Sequence, residues 1–316
     1  MRPVDFFIVG QPKSGTTALA SYLEAHPEIC FSRPKEPRWM ADDLTREIIA
    51  HHGDEGLVPV RTADQYESCF AHDHEARLRG EGSTAYLHST EAAGRIAVHN
   101  PRARIVVLLR NPVDLIHALH MEYVNLTYED IEDFSDALDA EAARSRGELI
   151  PSRVPFPSAL LYTRRGTVMP QLERYWEVFG DEAVGVWTAK DLRDDPSGTY
   201  RAILTHVGAQ DVSFSPDFAA VHEAKQPRSA SLNRAVRANW LRATARRALP
   251  PQAFKWVQQR VVEPLVLTKA PRAPLSPGLR ARLEDVFRPD VEALSDRLGR
   301  DLGSEWGFGE SERARP

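Results

Sequence analysis

Residues 6–24 constrain the fold more than any other stretch of this chain. They contain an apolar run at 6–9, a Gly- and Pro-containing loop at 10–15, and Leu19 and Leu23 four residues apart. The apolar run is typical of a buried strand, and the leucine spacing is typical of a helix. The first N–H groups of a helix lack intrahelical partners and the helix dipole is positive there, so this junction favours an anion. The sequence therefore predicts a strand, a phosphate-binding loop and a helix.

The order of residues in this loop separates it from the NTPase P-loop. Gly10 and Gly15 keep the Walker A spacing, but Lys13 lies inside the loop and Gly15 is followed by Thr16 and Thr17. In Walker A the Lys directly follows the second Gly, and the next Ser or Thr holds Mg²⁺. This arrangement favours phosphate binding without a metal ion. A kinase-like NTPase is the alternative.

Length, charge and cysteine content exclude several classes of protein. The chain has 316 residues and a net charge of −5, which is enough length for a large core and gives no reason to expect nucleic acid as a partner. Cys30 and Cys69 form neither a disulfide framework nor a zinc-ligand set. The sequence after Met1 has no cleavable apolar segment, and no apolar run is long enough to span a membrane. We expect a soluble, cytoplasmic protein.

A second buried strand is predicted at residues 104–109, where five consecutive Ile, Val and Leu residues precede Arg110. Open α/β sheets bind ligands at the carboxyl ends of their strands, so Arg110 is expected near the ligand. A guanidinium group matches the geometry of a phosphate with two parallel hydrogen bonds. Arg110 is therefore a candidate phosphate ligand in an α/β fold.

The candidate carboxylate is Glu36, which lies between Pro34 and Pro37 and next to Lys35. Proline fixes its own φ and keeps the residue before it out of the helical region, which predicts an extended segment that presents Glu36. The alternative is that Glu36 only pairs with Lys35 or Arg38 in a solvated turn.

Two motifs, P-K-S-G-T-T at 12–17 and L-R-N-P-V-D at 109–114, resemble the 5′-phosphosulfate loop and the 3′-phosphate motif of the PAPS-dependent sulfotransferases. The donor of that family is 3′-phosphoadenosine 5′-phosphosulfate (PAPS). The resemblance covers residues 6–306. It implies one P-loop-like α/β domain over residues 1–316, with a mostly parallel central sheet flanked by helices.

The resemblance also implies an activity and its residues. The activity is sulfuryl transfer from PAPS to a hydroxyl, or less favourably an amine, of a small-molecule or glycan acceptor, giving 3′,5′-ADP without a metal ion. Glu36 matches the family's proposed base, and Lys13 is the second catalytic residue. The residues assigned to PAPS binding are Lys13, Ser14, Gly15, Thr16, Thr17, Arg110 and Arg228, the last from a Pro-Arg-Ser loop at 226–229.

The chain departs from the family pattern at two places. Gly82 stands where many members have Lys, and Ala118 stands where the 3′-phosphate motif usually has Ser, with His117 or His120 as substitutes. These departures leave open a non-catalytic nucleotide-binding protein. Arg38, Trp39 and the loops at 148–165 and 230–270 are expected to shape the acceptor pocket. Within the first of these loops, the proline-containing residues 148–158 are expected to line or cover a pocket.

Residues 225–272 differ in composition from the rest, with eleven Lys and Arg against one acid, Glu263. Three interpretations remain: a packed helix with a solvated basic face, a lid over the anionic donor, and a membrane-surface helix at 230–260, which is the least favoured. Towards the carboxyl end, apolar spacing over 279–298 predicts a pair of helices broken at Pro289.

Overall fold

A computed structural model describes most of the chain. The described residues are 2–58, 60–218 and 274–308, together with two short strands at Gln226–Pro227 and Leu267–Thr268. Arg228 and nearly all of the basic segment 225–272 lie outside the described residues, so the lid and membrane interpretations stay predictions.

The core of the fold is one five-stranded sheet in which every neighbouring pair of strands is parallel. The strands are β1 (Phe6–Gly10), β2 (Ile29–Phe31), β3 (Leu78–Gly82), β4 (Arg104–Leu109) and β5 (Val184–Thr188), in the order β2-β3-β1-β4-β5. All five residues of β1 are buried. The short strands β6 (Gln226–Pro227) and β7 (Leu267–Thr268) form a separate antiparallel pair. The predicted parallel α/β sheet is confirmed.

Helices cover both faces of this sheet. They are α1 (Thr16–Glu24), α2 (Asp42–His52), α3 (Ala63–Ser68), α4 (Ala92–His99), α5 (Pro112–Leu126), α6 (Phe134–Asp139), α7 (Glu141–Arg144), α8 (Tyr162–Gly166), α9 (Met169–Phe179), α10 (Ala189–Asp194), α11 (Pro196–Val207), α12 (Pro277–Leu298) and α13 (Leu302–Glu305). Because successive side chains of a strand point to opposite faces, Phe7 and Val9 join one hydrophobic cluster while Phe6 and Ile8 join the other.

The start of α5 is fixed directly behind β4. Asn111 Oδ1 accepts hydrogen bonds from Val113 N (2.9 Å) and Asp114 N (3.3 Å), and Pro112 occupies the first turn. An Asn cap and an early proline both favour helix initiation. The chain therefore turns from strand to helix within two residues, which places Arg110 at the sheet edge.

The carboxyl-terminal helix α12 is continuous, so the prediction of two helices broken at Pro289 is wrong. Pro289 removes one backbone hydrogen bond, but the apolar face of α12 is buried against the core at Leu283, Phe287, Val291 and Leu294. The adjacent Asp290 accepts hydrogen bonds from Val168 N (2.8 Å) and Met169 N (2.9 Å) at the start of α9. This packing outweighs a proline effect of about 3 kcal/mol.

None of the helices in the described ranges has the length and apolar character needed to cross a membrane.

Candidate active site

The site lies where the strand order changes direction. β1 pairs with β3 on one side and β4 on the other, so the loop after β1 and the residue after β4 meet at the carboxyl edge of the sheet. Arg110 N donates to Gln11 Oε1 (3.1 Å), and Arg110 Nη1 donates to the Lys13 carbonyl oxygen (3.0 Å). The two motifs predicted to bind one ligand are therefore adjacent in the structure.

The phosphate-loop backbone takes the conformation that its glycine permits. Gly15 has φ 92° and precedes α1, where Leu19 N donates to the Gly15 carbonyl at 3.0 Å. A Cβ at Gly15 would also lie 3.1 Å from Leu192 Cδ2. Lys13 has φ 62°, a conformation that is costly for a residue with a side chain. The N–H groups that open α1 are left without helical partners, as anion binding requires.

The ammonium group of Lys13 has a carboxylate partner. Its Nζ lies 3.1 Å from Glu122 Oε1, and the two side chains are 28% and 38% exposed. Glu122 lies in α5, which begins behind β4. Sequence reasoning missed Glu122, because no motif signals a partner separated from Lys13 by 109 residues.

Glu36 is surrounded by hydrogen-bond donors. Lys35 Nζ lies 3.0 Å and Thr84 Oγ1 lies 3.1 Å from Glu36 Oε1, while Arg38 Nη2 lies 3.5 Å from Oε2. Burial acts to raise the pKa of Glu36, but the charges of Lys35 and Arg38 and the hydrogen bonds from Lys35 and Thr84 together lower it. The carboxylate is therefore ionised and is a hydrogen-bond acceptor only.

The backbone around Glu36 is not extended, so that prediction is wrong. Glu36 has φ 63° and Arg38 has φ 59°, both in the left-handed region. Glu36 N donates to the Gly82 carbonyl (3.0 Å), and Arg38 N donates to Ser83 Oγ (3.1 Å). These bonds to the end of β3 outweigh the preference of the flanking prolines, and they fix the carboxylate next to the sheet edge.

Gly82 lies in a tightly packed position. A Cβ there would lie 3.0 Å from Phe31 Cζ, so a longer side chain would require Phe31 to move. The preceding residue, Glu81, is fully buried and accepts hydrogen bonds from Tyr66 OH (2.7 Å) and Tyr86 OH (3.0 Å). Burial raises the pKa of Glu81 to about 7. Packing against Phe31 therefore leaves no room at position 82 for the lysine that many sulfotransferases have there.

The histidines near Ala118 serve the fold. Ala118 is buried in α5, and His120 is buried with its Nε2 2.9 Å from the Ile131 carbonyl oxygen. His117 packs on Phe134, with ring centroids 5.3 Å apart. Both histidines thereby connect α5 to the segment that follows it.

Two cavities meet at the phosphate loop. The larger, of about 1130 Å³, and the smaller, of about 580 Å³, share Lys13, Gly15, Ala18 and Arg110. The larger cavity is also lined by Thr16, Thr17, Glu36, Arg38, Thr84, Leu119, Glu122, Tyr123, Arg153, Phe156 and Arg165. The smaller cavity is also lined by Ser14, Tyr22, Asn111, Lys190, Arg193, Phe218, Glu305 and Trp306. A ligand with phosphate groups at the loop can therefore extend to either side.

The loop at 148–158 forms one wall of the larger cavity, as predicted. His51 Nε2 lies 3.2 Å from the Pro151 carbonyl oxygen, and His52 Nε2 lies 2.8 Å from that of Val154. In the described ranges, no group of His, Cys, Asp and Glu side chains is arranged to hold a metal ion. Trp39, predicted to shape this pocket, instead stacks on Tyr66 with ring centroids 5.9 Å apart.

The carboxyl-terminal residues form a wall of the smaller cavity. Asn111 Nδ2 donates to the Trp306 carbonyl oxygen (2.8 Å), beside the phosphate loop. Arg300 forms two hydrogen bonds with Asp191 (2.8 and 2.9 Å) and two with Glu305 (3.0 and 2.6 Å). The start of α10 and the end of the described chain are therefore held together across this cavity.

Comparisons with known proteins agree with this site. A family model described as "Sulfotransferase family" matches residues 3–150. Human carbohydrate sulfotransferase 15 is 26% identical over 163 residues, which cover 42% of this chain and 29% of that protein. Human bifunctional heparan sulfate N-deacetylase/N-sulfotransferase 3 is 25% identical over 211 residues, covering 64% of this chain and 22% of that protein. The chain thus spans less than a third of either relative.

A solved structure extends the likeness to nearly the whole chain. The crystal structure of a sulfotransferase from Alicyclobacillus acidocaldarius matches with a TM-score of 0.70 and 25% identity, covering 97% of this chain and 99% of that one. The family match contains both the phosphate loop and Arg110. Residues 3–150 therefore resemble the sulfotransferase family, and nearly the whole chain resembles a solved bacterial sulfotransferase.

Proposed function

We propose that this protein transfers the sulfuryl group of PAPS to a hydroxyl group, or less favourably an amine, of a glycan or small-molecule acceptor. One observation carries the proposal: Lys13, Arg110 and Glu36 converge where two cavities meet at a phosphate loop. In this assignment the smaller cavity takes the nucleotide, and the larger cavity takes the acceptor.

The smaller cavity has groups that fit an adenosine bisphosphate. Lys13 and the N–H groups at the start of α1 would hold the 5′-phosphate, and Arg110 would hold the 3′-phosphate. The rings of Tyr22, Phe218 and Trp306 line this cavity and offer apolar surface to a base. Arg228 as a second 3′-phosphate ligand stays a prediction.

The chemistry assigned to the protein is proton removal and charge stabilisation. The bound donor supplies an electrophilic sulfur joined through oxygen to the 5′-phosphate. Glu36 takes the proton of the acceptor hydroxyl, whose oxygen bonds to sulfur while the bond between sulfur and the bridging oxygen breaks. Lys13 and the loop amides stabilise the negative charge left on that oxygen. None of these steps requires a metal ion.

The nature of the acceptor is supported by the relatives and by the cavity. Both human relatives are named for sulfotransfer to carbohydrate or to heparan sulfate. A cavity of about 1130 Å³ is large enough for a sugar unit or a small molecule. A cytoplasmic location stays a prediction, supported by Cys30 and Cys69, which are both free.

The test is transfer from radiolabelled PAPS to a panel of hydroxylated acceptors. We expect the wild-type protein to transfer label, and Glu36→Gln to lose about 10²–10⁴-fold in kcat while its Kd for 3′,5′-ADP is unchanged. Glu24→Gln, the same change in a carboxylate that pairs with Arg33 on the surface, is the control. Tight binding of ATP–Mg²⁺ with no affinity for 3′,5′-ADP would contradict the proposal, and a full rate for Glu36→Gln would remove Glu36 as the base.

A further inference from the structure

Arg165 in α8 is a buried cation in the wall of the acceptor cavity. Its residue exposure is 7%, and it lines the larger cavity together with Leu119, Tyr123 and Phe156. Two of its guanidinium nitrogens, Nε and Nη1, are buried and make no hydrogen bond to any described residue. The sequence predicted that residues 148–165 shape this pocket, but it did not single out Arg165, because α8 has only five residues and carries no motif.

An arginine is charged at all physiological pH values, so burying it without a partner is unfavourable. Buried charges in proteins are normally paired with an opposite charge. Arg165 forms no ion pair with a carboxylate of the described residues. Glu129, a buried carboxylate of the core, is already used: it accepts two hydrogen bonds from Arg144 and one from Tyr162 OH. The charge of Arg165 is therefore available to a ligand.

The surroundings of Arg165 add positive charge. His88 has its pKa lowered to about 2, first by burial and then by the charges of Arg165, Arg164 and Arg174. His88 is consequently neutral, and its Nε2 lies 3.2 Å from Ser158 Oγ. Three guanidinium groups thus act on His88, which lies with Arg165 in the wall of a small neighbouring cavity.

A bound water does not account for this charge. The small neighbouring cavity has a volume of about 10 Å³ and is lined by Arg165 and Gln11. The Nε2 atom of Gln11 also lacks a hydrogen-bond partner among the described residues. That volume fits about one water molecule. A water there would satisfy the hydrogen-bonding groups, but it is neutral and leaves the guanidinium charge unmatched.

We propose that Arg165 forms an anion subsite in the acceptor half of the active site, and that the acceptor carries a carboxylate or a sulfate ester. This inference rests on the proposed sulfotransfer. Arg165 and Glu36 line the larger cavity and not the smaller one, whereas Lys13 and Arg110 line both. The position of Arg165 therefore favours an anionic group on the acceptor over a phosphate of the nucleotide.

The first experiment measures anion binding without turnover. Inorganic sulfate is titrated by calorimetry into protein saturated with 3′,5′-ADP, so that the nucleotide phosphate sites are filled. We expect wild-type protein to bind sulfate and Arg165→Gln to bind it at least tenfold more weakly. Arg201→Gln, which removes an exposed arginine of α11 that lines neither cavity, should bind like wild type. No sulfate binding by wild type, or equal binding by Arg165→Gln, overturns the subsite.

The second experiment separates the acceptor from the transferred sulfuryl group as the source of the anion. Dissociation constants for PAPS and 3′,5′-ADP are compared in wild type and Arg165→Gln. We expect both to be unchanged, while the preference of wild type for glucuronides over the matching glucosides as acceptors is lost in the variant. If Arg165→Gln weakens the binding of PAPS but not that of 3′,5′-ADP, the subsite holds the sulfuryl group and the acceptor proposal is wrong.

Thermal unfolding without ligand distinguishes a binding role from a structural one. Because Nε and Nη1 of Arg165 have no partner among the described residues, Arg165→Met should keep or raise the Tm, and Arg165→Lys should retain part of the sulfate affinity. A large fall in Tm would show that Arg165 supports the fold. Failure of wild type to use PAPS would refute the proposed function, whereas the sulfate titration judges the subsite independently.

Discussion

Lys13 Nζ lies 3.1 Å from Glu122 Oε1, so the cation of the phosphate loop already has a carboxylate partner. A phosphate that binds at the loop has to compete with Glu122 for this ammonium group. The pair joins the loop after β1 to α5, two elements that also contribute to the acceptor cavity. Glu122 therefore links the affinity for the donor to the geometry on the acceptor side.

Glu122→Gln should tighten nucleotide binding. Because both side chains are about one-third exposed, the interaction is worth up to about 1 kcal/mol, and its removal should lower the Kd for 3′,5′-ADP by roughly two- to fivefold. Calorimetry measures this change. Glu173→Gln, on the exposed side of α9, is the control and should leave the Kd unchanged. Weaker binding by Glu122→Gln would show that Glu122 positions Lys13 for the phosphate.

Lys35→Met should move the acid limb of the pH profile. The Lys35 charge is the largest influence that lowers the pKa of Glu36, whose ordinary value is 4.5. Removing that charge raises the pKa of Glu36, so the base becomes protonated at a higher pH. The fall of kcat/KM on acidification should therefore begin at a higher pH in Lys35→Met than in wild type.

The control for this profile is Arg282→Met, since Arg282 pairs with Asp139 at the surface and lines neither cavity. An acid limb at the same pH in Lys35→Met and wild type would contradict the assignment of Glu36 as the group that titrates. A shift to lower pH would contradict the sign of the interaction.

Glu81→Gln should change how stability depends on pH. Burial raises the folded-state pKa of Glu81 from 4.5 to about 7, so the native state binds more protons than the unfolded state between these values. The free energy of unfolding contributed by Glu81 therefore falls as pH rises through this window, by at most about 3 kcal/mol. Glutamine does not titrate, so the stability of Glu81→Gln relative to wild type should increase over the same range.

Urea unfolding at several pH values between about 5 and 8 measures this difference. A difference between Glu81→Gln and wild type that is constant with pH would show that Glu81 does not titrate with the raised pKa.

Arg144→Met should destabilise the protein by about 3–5 kcal/mol, because it leaves the carboxylate of Glu129 buried without its charged partner. Both side chains are fully buried, and their two hydrogen bonds are 2.7 and 2.6 Å long. Chemical unfolding checks the value. The double variant Arg144→Met/Glu129→Leu should recover part of the loss, and a double variant less stable than Arg144→Met would argue against this explanation.

The site residues that the sequence predicted correctly are those that lie next to a strand or helix recognisable from its local sequence pattern. The loop at 10–15 follows a buried strand, and Arg110 ends another, so parallel pairing of the two strands brings them together. The strand pattern needed only a run of apolar residues bounded by glycine or charge. Gly15 was predicted from its spacing to Gly10, and its φ of 92° is a conformation that residues with a side chain rarely adopt.

The remaining features depend on contacts between distant segments. The left-handed backbone at Glu36 is set by hydrogen bonds to the end of β3, which local proline preferences do not reveal. Glu122 and Arg165 acquire their roles only when α5 and α8 pack beside the loop. Pro289 reads as a helix break in sequence, but the burial of a continuous apolar face decides the outcome.

Asn111, Trp306 and the hydrogen bonds of Arg300 form a wall that joins the carboxyl-terminal residues to the amino-terminal half of the chain. The protein therefore cannot be shortened from its carboxyl end without loss of this wall. A fragment that ends at residue 150 would retain the phosphate loop and Arg110, yet it would lose the surface that closes one side of the smaller cavity, which the proposed function assigns to the nucleotide. On this assignment, binding of the donor requires residues from both the amino-terminal and the carboxyl-terminal parts of the chain. Chimeras that exchange acceptor specificity between such enzymes should carry over both chain ends from the same parent.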